Sequence, residues 1–161
     1  MNAAHLHLIT NHFPVVGTFI AFLVLLLGWA GKKSAVQKTA LLLFVFIGLV
    51  SIPVFVSGNG AEEIMEKFPG ISEQAIEEHE ESAVVTLIFV ELLAVAALMG
   101  FALFGRRENL PGGFLLTVVV LTIVAGVLTA NTSNLGGKIR HPQEMGGTLP
   151  AGGERESEEK E

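Results

Sequence analysis

The sequence predicts an all-α polytopic membrane protein, a bundle of four transmembrane helices. Half of the 161 residues are hydrophobic and 16% are charged, and the mean hydropathy is +0.58, which is rare in a soluble domain of this length. Crossing about 30 Å of hydrocarbon takes about 17 to 25 apolar residues. Four runs approach or exceed that length: 13–30, 40–56, 83–104 and 114–130. The connecting segments are short, so residues 1–145 are expected to form one membrane domain.

Basic residues predict how the helices are oriented. The loops after the first and third spans carry the basic residues Lys32, Lys33, Lys38, Arg106 and Arg107. Residues 1–12 contain no lysine or arginine, and residues 57–82 contain eight glutamates against one lysine. Because cytoplasmic loops are enriched in positive charge, both termini are expected on the outer side of the cytoplasmic membrane. The first apolar run lacks a positive segment before it, so a conventional signal peptide is not expected.

All five histidines lie outside the apolar runs, and the topology places them on one membrane face. The first span begins near His12, because Pro14 suits a first helical turn. If residues 3–11 are helical, His5 and His12 are seven residues apart and share a face, whereas His7 points elsewhere. We therefore expect His7 to be incidental. The alternative is that these histidines bind no ligand, because a histidine at the membrane interface tolerates both water and lipid headgroups.

The second span ends among small residues and a proline, Ser51, Pro53, Ser57 and Gly58. The third helix is expected to begin at a Ser72 cap and to continue into the membrane. Positions at 3-4 spacing from His79 form a seam rich in small residues: Ile76, Ala83, Thr86, Val90, Leu93, Ala97 and Gly100. This seam predicts that His79 faces the bundle. Its glutamate neighbours are read as a solvated acidic face.

The fourth span carries small residues near its outer end, Thr122, Gly126, Thr129 and Ser133. Such residues favour either an open cavity or tight helix packing. After it, Gly136 and Gly137 permit a chain reversal that would bring His141 over the bundle, or a helix C-cap with Lys138 and Arg140 near lipid phosphates. Residues 146–161 are rich in glycine and glutamate and are predicted to be a disordered acidic tail.

Several classes of function lack support in the sequence. The absence of cysteine excludes disulfides, thiolate nucleophiles, iron–sulfur clusters and covalent haem attachment. The chain has no phosphate-binding glycine loop, no paired zinc-protease histidines and no hydrolase elbow. Its net charge of −6 gives no support to nucleic-acid binding. We expect a protein that is not an enzyme by itself.

Glu91 is the one formally charged residue inside a predicted span. Burying an ionised carboxylate in lipid is costly, so this group is expected to be protonated or partnered. It lies about 100° round the helix from the His79 seam and is not expected to bind the same ligand. A proton relay, a polar contact with another span and a neutral carboxyl that fixes packing are the alternatives.

Over residues 1–145 the chain resembles an uncharacterised family of small bacterial four-helix membrane proteins. The resemblance is carried by the segment from His5 to the His-Phe-Pro motif, the histidine-bearing acidic connector and the motif Leu-Gly-Gly-x-Ile-x-His. That resemblance implies a fold and no activity. More distantly, the arrangement is similar to four-helix membrane cytochromes that hold haem b between histidines of different helices. In this chain the histidines lie at the ends of the spans.

The leading hypothesis is a redox or metal-binding subunit with an outward-facing histidine site. His12 and His79 are the expected primary ligands, and His5 and His141 are additional ones. Haem b is the first choice, because two imidazoles can take its axial positions, with Lys138 and Arg140 near the propionates. Copper or zinc is the variant, with possible further ligands in Glu62, Glu63, Glu66, Met65 and Met145.

Two other classes remain open. A structural or assembly subunit would use this face to bind other membrane or periplasmic proteins, with no cofactor. A small proton-coupled transporter would use Glu91, although four short spans without an evident inverted repeat favour it less. The lipid bilayer is the expected environment in each case, and the sequence specifies no oligomeric state.

Overall fold

The computed structural model describes residues 2–67 and 71–140, and at residue 140 the backbone alone. These residues form five helices: α1 (Ala3–Thr10), α2 (His12–Ala30), α3 (Ser34–Met65), α4 (Glu73–Phe104) and α5 (Gly112–Arg140). No strand is present within these ranges. Asn11 joins α1 to α2 with helical backbone angles, so the two run almost as one helix. Four helices are therefore long and apolar enough to cross a membrane, which confirms the predicted fold class.

Local sequence explains where several helices begin. The Asn2 side chain accepts a hydrogen bond from the His5 backbone N–H at 2.9 Å and caps α1. The Ser72 hydroxyl accepts from the Ala75 N–H at 3.3 Å and caps α4, as predicted. Pro14 lies in the first turn of α2, where its missing N–H would have had no intrahelical partner.

The helices pack as a ring in the order α2, α3, α4, α5, with α5 returning to α2 and α1 packing mainly on α3. Because successive helices alternate in direction, one end of the bundle collects the start of α1, the end of α3, the start of α4 and the end of α5. We call this the histidine end, defined by His7, Gly58, His79 and Gly136. The opposite, basic end carries the loops 31–33 and 105–111, where the Lys38 ammonium donates to the Arg107 carbonyl at 2.8 Å.

A close-packed apolar core fills the half of the bundle towards the basic end. Its fully buried side chains include Leu25, Leu41, Phe44, Leu93 and Val118. The outward faces carry large apolar side chains, with Leu27 70% exposed and Leu103 66% exposed. A water-soluble protein would normally bury side chains of this kind, so these faces are suited to contact with lipid.

The small-residue seam predicted on α4 is confirmed. Its buried members are Ile76, Thr86, Val90, Leu93, Ala97 and Gly100. At Gly100 an added Cβ would overlap the ring of Phe114 on α5, so the absence of a side chain lets the two helices approach at this point.

One prediction about the chain's course is wrong. The paired glycines Gly136 and Gly137 do not reverse the chain, because α5 continues through both of them to Arg140. The physical reason lies at Gly136, whose bare Cα faces an imidazole from α4. The glycine is used for close packing inside the helix and not for a turn. His141 and the predicted tail, residues 146–161, lie outside the described residues.

Candidate functional site

A partly open cavity of about 480 Å³ lies at the histidine end of the bundle. Small residues at the outer ends of the spans left open either a cavity or tight packing, and the structure has the cavity. Its size falls within the range of roughly 300 to 1,000 Å³ that is typical of small-molecule and cofactor sites. Its walls are mostly apolar, and three of the five histidines line it: His7, His12 and His79.

His7 enters the cavity from α1. Its Nδ1 lies 3.0 Å from the Val54 carbonyl oxygen on α3. A carbonyl oxygen only accepts hydrogen bonds, so Nδ1 must be the donor and must carry the hydrogen. In a neutral ring Nε2 then keeps its lone pair, which is the form that binds a metal. The ring lies against Gly58, where an added Cβ would be 3.2 Å from His7 Cε1.

His79 enters from α4 in the same manner. Its Nδ1 donates to the Thr132 carbonyl on α5 at 3.0 Å, and its ring lies against Gly136, where an added Cβ would be 3.0 Å from Cε1. In both rings Nδ1 is therefore held by a main-chain carbonyl of a neighbouring helix. Each ring also lies against a glycine that follows this carbonyl by one turn of that neighbouring helix. Such a bond fixes the tautomer and the ring orientation of a metal-binding histidine.

Hydroxyl groups reinforce the contact between α4 and α5 beside His79. The Thr132 hydroxyl lies 2.6 Å from the Ser82 hydroxyl and 2.8 Å from the Thr86 hydroxyl. Each distance is that of a hydrogen bond between hydroxyls. These bonds hold the acceptor carbonyl of Thr132 in place relative to the helix that carries the imidazole.

His79 precedes the apolar run 83–104 and lies in the polar, glutamate-rich beginning of α4. Burial in the cavity lowers its pKa, the hydrogen bond to Thr132 opposes that shift, and the charge of nearby His7 lowers the pKa further. The neutral form of His79 is therefore favoured, and that form has a free lone pair.

Glu62 lines the same cavity, beyond the apolar run 40–56. Burial, followed by the charges of Glu80 and Glu66, raises the pKa of Glu62 to about 7. Glu63 and Glu66, the other proposed carboxylate ligands, are exposed and do not line the cavity. Within residues 2–67 and 71–140, no group of three or more His, Asp or Glu side chains is placed to hold a metal ion.

The remaining sequence-predicted residues have different positions. His12 is exposed and contributes to the cavity wall, whereas His5 is exposed and does not line it. The expectation that His7 points away from the site is wrong, because α1 packs on α3 and brings its ring to the Val54 carbonyl. Lys138 is half-buried and lies outside the cavity wall.

Glu91 lies between α4 and α3 and is not among the residues of the cavity wall. A Cβ added at Gly48 would be 3.3 Å from its Oε2, so the carboxyl packs on a glycine of the neighbouring helix. Its buried Oε1 has no hydrogen-bond partner among the described residues.

Comparison with family models, with curated proteins and with solved structures finds no match. The resemblances to a four-helix membrane family and to membrane b-type cytochromes therefore stay predictions.

Proposed function

We propose that this protein is a redox subunit of the bacterial cytoplasmic membrane that binds haem b at its histidine end, with His7 and His79 as the axial ligands. One observation carries the proposal. Two imidazoles from different helices enter one mostly apolar cavity, each with Nδ1 donating to a main-chain carbonyl. His7 takes the place that the sequence assigned to His12.

The chemistry of this arrangement favours electron transfer. His7 and His79 would hold the haem iron between them and would leave no position for a substrate or for oxygen. The protein then supplies orientation and dielectric, through the carbonyl-held rings and the apolar wall, while the bound group supplies one-electron chemistry. A subunit of this kind acts with a membrane or periplasmic partner and is not an enzyme by itself.

A mononuclear copper or zinc site is less well supported. Zinc sites use at least three protein ligands, and the described residues hold no such group. His12 and Glu62 also line the cavity, so a metal centre with water ligands is the variant that metal analysis would detect. A cofactor-free assembly role predicts that the two histidines can be replaced without consequence.

The direct test is the absorption spectrum of the purified full-length protein, as isolated and after addition of haem b. We expect a six-coordinate, low-spin spectrum of bis-imidazole type that is lost or converted to high spin in His7→Ala and in His79→Ala. His5→Ala is the matched control, because His5 is exposed and outside the cavity wall, and it should retain the spectrum. A colourless protein that takes up no haem would refute the proposal, and an unchanged spectrum in His7→Ala would exclude His7 as a ligand.

A further inference from the structure

The four long helices form two hairpins in chain order, α2 with α3 and α4 with α5. The first helices of these hairpins, α2 and α4, bury residues at equivalent positions. When residue numbers are shifted by 72, which takes Pro14 to Thr86, every buried residue of α2 aligns with a buried residue of α4. The other pairs are Thr18 with Val90, Ala21 with Leu93, Leu25 with Ala97 and Gly28 with Gly100.

The second helices, α3 and α5, correspond in the same way. A shift of 78 residue numbers, which takes Ser51 to Thr129, aligns every residue of α5 that is buried within 112–139 with a buried residue of α3. The other pairs are Gln37 with Leu115, Ala40 with Val118, Phe44 with Thr122, Ile47 with Ala125 and Gly48 with Gly126. The shift changes from 72 to 78 between the two helices of a hairpin. The loop between them is longer in the second hairpin, residues 105–111, than in the first, residues 31–33.

The cavity follows the same two shifts, and this is independent of helical periodicity in burial. The shift of 72 takes His7 to His79, and the shift of 78 takes its acceptor Val54 to Thr132. Gly58, against which the His7 ring lies, becomes Gly136, against which the His79 ring lies. A helical period could align the buried faces by chance, but it would not also align a hydrogen bond and its glycine.

One close contact away from the cavity repeats, whereas the interfaces between the hairpins differ, because α3 and α4 pack together more extensively than α2 and α5 do. Gly28 and Gly100 each let the first helix of a hairpin approach the second one. Between hairpins, Gly48 lies closest to Ala94 and next to Glu91, whereas its counterpart Gly126 has only an ordinary contact with Phe19. A shift of 72 takes Phe19 to Glu91. The intramembrane carboxyl thus replaces a phenyl ring of the first half.

Both hairpins begin at the histidine end and run in the same direction, since α2 and α4 leave that end and α3 and α5 return to it. Two such copies are related by a half-turn about an axis parallel to the helices, which is the arrangement of parallel repeats in membrane proteins. That axis passes between His7 and His79, because the half-turn exchanges them.

We propose that the chain is a tandem pair of equivalent helical hairpins, and that its cavity is a two-fold site which binds a planar metalloporphyrin in two face-exchanged orientations. The claim rests on the proposed haem function. A half-turn that exchanges two axial ligands has its axis in the plane of the ring, and it therefore exchanges the two faces of the ring. The methyl and vinyl groups of haem b are not symmetric under this operation, so the two orientations are distinct species bound between equivalent walls.

The walls differ at the rim, where Leu8 and His12 line the cavity but their counterparts Glu80 and Val84 do not, and where Glu62 corresponds in sequence to Arg140. The populations therefore need not be equal. We expect these rim differences to leave the minor orientation above roughly one tenth of the total, which corresponds to a free-energy difference below about 1.4 kcal/mol. A site whose two walls differ strongly would favour one orientation at equilibrium, by more than tenfold once the difference exceeds about 1.4 kcal/mol.

The test uses the full-length protein in detergent, reconstituted with ferric haem b and warmed to equilibrium. Proton NMR should show two sets of hyperfine-shifted haem methyl signals, and an iron porphyrin that is itself two-fold symmetric should give one set. One set with haem b overturns the two-fold site and leaves the haem function intact, whereas a colourless protein overturns both.

A second measurement uses the paired variants His7→Gly and His79→Gly. Added imidazole should restore the low-spin spectrum in both, with half-saturating concentrations within about threefold, because each vacated space offers the same carbonyl acceptor beside a glycine. Rescue of only one variant would show that the two ligand positions are not equivalent.

Discussion

Gly136 is the position where a single added carbon most directly tests the site. In Gly136→Ala the new Cβ would lie 3.0 Å from His79 Cε1 and 3.3 Å from Nδ1, so the ring must move by a few tenths of an ångström. Its movement is opposed by the 3.0 Å hydrogen bond to the Thr132 carbonyl on the same helix as the new methyl group. Overpacking costs typically about 1 to 3 kcal/mol, and weakening the hydrogen bond costs up to about 1 kcal/mol.

Alanine in place of glycine also stabilises a helix interior by about 0.5 to 1 kcal/mol. The two effects partly cancel in the free energy of unfolding, for which we expect a loss of about 0 to 2 kcal/mol. They do not cancel in ligand binding, because helix propensity does not orient the imidazole. Loss of a partner that orients a metal ligand lowers affinity about 10- to 100-fold, so we expect the dissociation constant for haem b to rise about tenfold.

Gly126→Ala is the matched control in the same helix. Its Cβ would meet Phe19 Cε1 at 3.8 Å, an ordinary van der Waals contact, so haem affinity should be unchanged and stability should rise slightly. The measurement is a haem titration followed by absorbance, with thermal unfolding of the haem-free protein alongside. Equal affinities for the two variants would show that the glycine does not hold the His79 ring in its binding position.

Two further predictions concern the surroundings of the site. Thr132→Val removes hydrogen bonds to two hydroxyls of α4 and should lower the free energy of unfolding by about 1 kcal/mol, since such bonds in membranes are worth about 0.6 kcal/mol each. Thr117→Val, which loses only a bond within its own helix, should show a smaller effect, and equal effects would contradict the interhelical role. Because burial raises the pKa of Glu62 to about 7, the protonated form stabilises the fold and this contribution is lost as pH rises through that value. Glu62→Gln should therefore raise the unfolding temperature at about pH 8 and much less at about pH 5, whereas Glu63→Gln, at an exposed position, should change it little at either pH.

Features set by local composition could be predicted from the sequence. Four apolar runs determine four membrane-length helices, because lipid requires internal backbone hydrogen bonds. The Ser72 cap and the buried seam of α4 depend on nearest neighbours and on helical spacing alone. The course of α5 through Gly136 could not be predicted this way, because glycine favours a turn locally and its use for close packing depends on a ring from α4.

The choice among the N-terminal histidines shows where single-helix reasoning ends. Pro14 fixes the start of α2 and with it the position of the neighbouring His12. The sequence of one helix does not show which imidazole will meet a hydrogen-bond acceptor on another helix. His7 is distinguished by the Val54 carbonyl and by Gly58, about 50 residues away in sequence. The sequence feature that identifies His7 is the correspondence between the two halves of the chain. When the chain is compared with itself, the His79 and Gly136 pair has a counterpart in His7 and Gly58, whereas His12 corresponds to Val84 and therefore has no imidazole partner in the second half.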